Sequence, residues 1–172
     1  MFLRTISALL VGCTLLLASV STTAQEKRGP STPEERAKAL AIVRDNETNP
    51  FGPNAPENRR WFVLWLVQVP DISVHACTIF DKLAKSGKKD SDLIFGQMVF
   101  SQAAFIIQNP EKKDDRLPEY QAGVEGALRI YEALVKANPK DRQPYLDDLI
   151  QRREAGTLAQ FVAARAATSC KN

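Results

Sequence analysis

Acid–base chemistry in this sequence would have to be built around one imidazole. His75 is the only histidine, and Asp71 stands four residues before it in Pro-Asp-Ile-Ser-Val-His. On a helix that spacing brings the carboxylate and the ring to one face, where the acid can orient the imidazole as a general base. Asp71 and His75 are therefore the candidate catalytic pair, of the kind a small hydrolase would use. The plainer reading is a structural histidine satisfied by a nearby acid. Cys77, two residues on, points away around such a helix, so a local Cys–His nucleophile is not expected.

The other reactive side chains do not assemble into a familiar set. One histidine with Cys77 and Cys170 gives no ligand group for a typical zinc site, and no metal or cofactor is expected. The sequence contains no G-x-S-x-G, H-E-x-x-H, Walker loop or dinucleotide fingerprint. Acids are paired at Glu34-Glu35, Asp114-Asp115 and Asp147-Asp148, but adjacent residues do not share a helix face, and each pair reads as a solvated helix start or loop. Asn46-Glu47-Thr48 is a glycosylation sequon, relevant only in a eukaryotic secretory path. The balance points away from an enzyme.

Residues 93–110 suggest binding instead, because they contain no charge. Gln97, Ser101, Ala104 and Gln108 recur there at helical spacing and form an uncharged polar stripe. With Tyr120 and Tyr131 nearby, Gln97, Ser101 and Gln108 are the candidate surface for an unknown protein or peptide partner. The same stripe also suits a polar seam buried between helices. A third reading is a carrier of an apolar ligand, its cavity lined by Trp61–Val69 and Leu93–Ile107.

These residues are positioned by a chain with a processed start. Residues 1–24 carry one cation, Arg4, then an uncharged apolar run from Ile6 to Val20, then Thr22 and Ala24 where a signal peptidase reads small residues. The run is too short to span a bilayer. Cleavage after Ala24 is expected, giving a periplasmic or secreted protein. Leu10-Val11-Gly12-Cys13 resembles a lipobox, so a form lipid-anchored through Cys13 is the minority alternative; the apolar run continues past Cys13, unlike that pattern. Cleavage would remove one cation and leave 22 Lys and Arg against 20 acids. That balance gives no electrostatic case for nucleic acid or an anionic membrane. Cys77 and Cys170 would then meet an oxidising compartment and can form a disulfide.

After a flexible leader at 25–31, residues 32–172 read as one all-α domain of about seven helices. Thr32-Pro33-Glu34-Glu35 is a capping box with proline at the first helical position. That helix stops at Asn49-Pro50. Asn54 and Pro56 start the next, which runs through Trp61-Phe-Val-Leu-Trp-Leu and ends before Pro70. It is apolar on every side, the mark of an interior helix. Val74, Cys77, Ile79, Phe80 and Leu83 give a further helical face, ended by Gly87. The uncharged segment 93–110 is a second mostly buried helix, with Ser91 as its cap. From Pro118 runs the best amphipathic helix, with Tyr120, Val124, Ala127, Leu128, Tyr131, Leu134 and Val135 inward. Glu125 with Arg129 and Glu132 with Lys136 form pairs one turn apart outside. Gly123 and Gly126 cost about 1 kcal/mol each in a helix, so another helix is expected to approach there. Asp141 caps a short helix, and Gly156-Thr157 separates it from the last.

Asn49-Pro50, Asn109-Pro110 and Asn138-Pro139 end three of these helices, which points to stacked helical hairpins or an irregular bundle. The pattern Ala127-x3-Tyr131-x2-Leu134-x4-Pro139 resembles the second helix of a tetratricopeptide repeat. The likeness covers half a repeat; Pro118 and a charged loop stand where the first-helix pattern would be. It implies hairpin-stacked helices and carries no peptide groove with it. As a whole the chain resembles an exported bacterial all-helical protein.

Overall fold

The computed structural model describes residues 28–75 and 90–170. Among them are six α-helices and no strands: α1 (Pro33–Thr48), α2 (Ala55–Leu66), α3 (Ser91–Gln108), α4 (Arg116–Ala137), α5 (Pro144–Glu154) and α6 (Leu158–Ser169). The helical face expected at Val74–Leu83 falls mostly at 76–89, outside the described residues. No described helix is long and apolar enough to cross a membrane.

Local sequence sets the helix ends. The Thr32 hydroxyl accepts from the Glu35 N–H at 3.2 Å, and the Glu35 carboxylate accepts from the Thr32 N–H at 3.0 Å, closing the capping box. Asn49, Asn109 and Asn138 are the C-caps of α1, α3 and α4, with φ of −137°, −133° and −144°. A following proline disfavours helical backbone at the residue before it, so each Asn-Pro stops its helix. Three starts differ from expectation. The helix expected to open at Pro118 begins at Arg116. The residue preceding α3 is Asp90, at φ 65°, and Ser91 is already helical. Asp141 lies in a 3-10 turn, and Gln143 precedes α5.

α3 and α4 form the most extensive helix pair, and two glycines of α4 are the reason. A Cβ on Gly126 would lie 1.8 Å from Ser101 Oγ, and one on Gly123 would lie 2.8 Å from Gln102 Cγ. Two cores form around this pair. α3 sends Ile94 and Met98 to one, where they meet Val124, Leu128, Tyr131, Leu146, Leu149 and Val162. It sends Phe100, Ala103 and Ile106 to the other, with Ile42, Phe62 and Trp65. Val99 touches both.

α2 departs from the interior helix its composition implied. Phe62 and Trp65 are buried, but Val63 and Leu64 are each 49 % exposed and Val67 is 74 % exposed. The helix lies at the edge of the second core with one apolar face outward. Trp61 stacks on Trp65 at 5.6 Å, and the Lys38 ammonium sits 4.1 Å from the Trp61 ring centre. The start of the described chain also differs from a flexible leader: Arg28 pairs with Glu35, and Ser31 is buried against Asp71.

The glycine contacts predict opposite outcomes for two alanines. Gly126→Ala must move Ser101 or separate the helices, and should cost about 1–3 kcal/mol. Gly96→Ala meets nothing within 4 Å on α3, and should gain roughly 0.5–1 kcal/mol. Urea unfolding midpoints followed by circular dichroism check both signs.

Candidate functional site

The expected Asp71–His75 pair does not form. Residues 71–75 are not helical, so a spacing of four no longer means a shared face. Asp71 turns to the start of α1: its carboxylate accepts from the Ser31 N–H at 2.8 Å, the Ser31 hydroxyl at 2.7 Å and the Arg36 guanidinium at 2.7 Å. Burial pushes its carboxyl up, but the Ser31 and Arg36 bonds outweigh that and hold it below the usual range.

His75 is held instead by Glu119, in the first turn of α4. The His75 N–H donates to Oε1 at 2.8 Å, and the ring Nδ1 lies 2.9 Å from Oε2. Gln102 Nε2 donates to the His75 carbonyl at 3.3 Å, while its own Oε1 is buried without a hydrogen-bond partner. Burial pushes the Glu119 carboxyl up to about 7, with Arg116 pulling the other way. The arrangement fixes the ring in one orientation and gives it a buried acid for a partner. Sequence spacing misses it because the two residues are 44 apart.

The polar stripe divides. Gln97 and Ser101 are buried in the seam between α1, α3 and α4, and Gln108 is exposed. Gln97 Oε1 accepts from Asn46 Nδ2 at 2.7 Å; its Nε2 faces Ser101 Oγ at 3.1 Å and Glu47 Oε1 at 3.2 Å. Asn46 in turn accepts from Arg59 at 2.8 Å. At the surface end, Arg129 donates to both Glu47 oxygens, at 2.7 and 2.9 Å. Tyr120 packs in the first core. The Tyr131 hydroxyl donates to Asp147 at 2.8 Å and accepts from the Gln143 N–H at 2.7 Å; burial pushes it up to about 12.

Three depressions follow the outer side of α4 in line. The first, about 160 Å³, lies between α1, α3 and α4; Arg44, Ser101, Phe105 and Gln108 line it, with Arg129 and Glu47 at one end. The second, about 360 Å³, begins at that same ion pair and reaches Glu132 and Lys136. The third, about 450 Å³, begins at Glu132 and Lys136 and runs between α4 and α5 past Tyr131 to Ile150 and Glu154. Ser101, Gln108 and Tyr131 thus reach one furrow, from opposite ends. Gln97 supports it from behind, and Tyr120 is not in its walls. The Glu132–Lys136 pair expected on the surface is replaced by Glu132 with Arg153 of α5, while Glu125 and Arg129 do pair, at 3.9 Å.

Between the two helices expected to line an apolar cavity, Phe62 of α2 stacks on Phe100 of α3 with ring centres 4.2 Å apart. Among the described residues no three His, Cys, Asp or Glu side chains group as a metal site. Cys170 caps α6, half-buried against the first core; Cys77 lies outside the described residues. Comparison with family models, with curated proteins and with solved structures gave no match.

Glu119 makes stability depend on pH in a defined direction. Its folded-state carboxyl titrates near 7, above the ordinary 4.5, so the folded chain holds more protons than the unfolded one between those values. Its contribution is complete below the unfolded value and is lost as pH rises through 7. Glu119→Gln should flatten that decline, so that the urea midpoint changes less between pH 5 and 8 than in the parent. An equal slope in both proteins would assign the dependence to another group.

Proposed function

We propose that this is an exported, non-catalytic helical protein that binds a partner chain in the furrow along α4. The furrow is the observation that carries the reading. It joins α1, α3, α4 and α5 along one side, and it holds three of the residues that sequence analysis marked for binding: Ser101, Gln108 and Tyr131. Its floor is apolar at Val43, Ala104, Phe105, Val135 and Ile150, and its rim is charged. Apolar pockets rimmed by polar groups are the usual anatomy of a recognition surface. The buried network behind it, from Arg59 through Asn46 and Gln97 to Glu47, holds the walls in place before any partner arrives. A preformed groove reduces the ordering cost of binding.

Export rests on the signal-like start, and the Cys77–Cys170 bridge belongs to the same reading. His75 is fastened to Glu119 of α4, and α6, which ends at Cys170, also packs on α4. His75, two residues before Cys77 in sequence, and the helix that precedes Cys170 therefore adjoin the same helix. A bridge there would close a long loop and stabilise the fold by about 4 kcal/mol in the chain-entropy model.

Two measurements test these points. Protein recovered from its native compartment should begin at Gln25 and take up no alkylating reagent until reduced, as read by mass spectrometry; an intact Met1 or two alkylated thiols before reduction would refute export or the bridge respectively. Peptides selected from a random twelve-residue phage library should shift the amide resonances of Ser101, Ala133 and Gln151 when titrated into labelled protein. Shifts confined to α2, or no selected peptide, would remove the furrow reading.

A further inference from the structure

The outward face of α2 is apolar, and no described residue covers it. Arg60, Val63, Leu64 and Val67 recur there at helical spacing, and the three aliphatic side chains are half-exposed or more. The size of the row restricts what can cover it. A stable complex between free molecules buries roughly 800 Å² on each partner, and three aliphatic side chains, two of them half shielded, offer well under that. A group already attached to the chain needs far less area, because a short flexible tether holds it at an effective concentration on the order of millimolar.

The chain carries such a group, and it enters the fold beside this face. Residues 6–20 are an uncharged apolar run that precedes the described residues. The described chain begins at Arg28, whose guanidinium donates to Gln68 Oε1 at 3.1 Å and pairs with Glu35 in the first turn of α1. Gln68 follows Val67 directly and is itself exposed, so the chain arrives at the C-terminal end of the apolar row. Only residues 21–27 separate the run from Arg28, and fully extended they reach up to about 23 Å. α2 has 12 residues, and its length is about 18 Å at roughly 1.5 Å per residue. The tether is therefore long enough to lay the run anywhere along the face.

We propose that in the unprocessed chain the run from Ile6 to Val20 lies on the outward face of α2, against Val63, Leu64 and Val67, and that cleavage after Ala24 removes it and bares that face. The inference rests on reading residues 1–24 as an export signal, and it is independent of the furrow. The contact takes apolar surface out of water on both sides. Arg60 and Gln68 stand at the two ends of the row, where polar rim groups belong.

The test is cross-linking within the full chain. Cys77→Ser and Cys170→Ser leave Cys13, in the middle of the run, as the one native thiol. A second cysteine is introduced as Leu64→Cys, as Val67→Cys, or as Glu34→Cys. Glu34 is an exposed polar position beside Glu35, and so is also close to Arg28. The chains are made by dilute cell-free translation without membranes, treated with a short bis-maleimide, and read by gel mobility and mass spectrometry. Limited proteolysis that spares residues 28–170 shows which variants are folded. Leu64→Cys and Val67→Cys should join Cys13 within one chain several-fold more than Glu34→Cys does, and Leu15→Asp with Leu16→Asp should abolish the difference. Equal cross-linking at all three positions would mean a tether without docking and would overturn the proposal. Cross-links only between two chains would also overturn it, by assigning the face to a second copy. So would flotation of the processed chain on vesicles of phosphatidylethanolamine and phosphatidylglycerol that Leu64→Asp prevents, by assigning the face to a membrane surface. An intact Met1 on protein from the native compartment would instead remove the export reading and the cleavage step, while the cross-links alone decide the docking.

Discussion

One buried carboxamide ties α1 to α3 and, through Glu47 and Arg129, leads on to α4. Gln97 is fully buried on α3, and its two polar atoms reach α1 at Asn46 and Glu47 and its own helix at Ser101. A group of this kind stabilises modestly when satisfied and destabilises strongly when stranded, so it permits one register of α1 on α3 and penalises the rest. The bonds continue in both directions. Asn46 takes the network to Arg59, whose guanidinium also donates to the Pro50 carbonyl at 2.8 Å. Glu47 takes it to Arg129, where its carboxylate holds the guanidinium strongly protonated. The bare surface of Gly126 lets Ser101 sit inside this network. A larger residue would hold α3 and α4 apart and open the seam.

Much of this was written in local sequence, because helix ends are local physics. The Thr32 capping box and the three Asn-Pro stops depend on residues within one turn. Gly123 and Gly126 announced a close approach because each costs about 1 kcal/mol in a helix and adds no side-chain contact. The stripe of Gln97 and Ser101 was visible as helical periodicity, but the same periodicity serves a buried seam and an exposed surface equally well. The structure uses Gln97 for the seam, Gln108 for the surface, and Ser101 for both.

The error at His75 comes from the assumption that neighbours in sequence choose each other. Asp71 and His75 were matched through a helix that is not there; the backbone after Pro70 sends Asp71 to α1 and His75 to α4. Glu119 gave no sign of itself, since an acid in the first turn of a helix is ordinarily solvated and favourable to the helix dipole. In the fold it is buried and bonded to both the backbone and the ring of His75. α2 misled differently. Uniform apolarity says that a helix can be buried all round, not that enough neighbours exist to do so. Tyr131 was marked for a binding surface, but its side chain is buried and its hydroxyl is spent on Asp147 and the Gln143 backbone.

The two cores share a single helix. The N-terminal half of α3 belongs to one and the C-terminal half to the other, with Val99 between them. Neither half of the molecule can therefore melt on its own without stripping a face from α3 that the other half still needs. The domain should behave as one cooperative unit, its most slowly exchanging amides along α3, and a ligand that tightens either end should be felt at the opposite one.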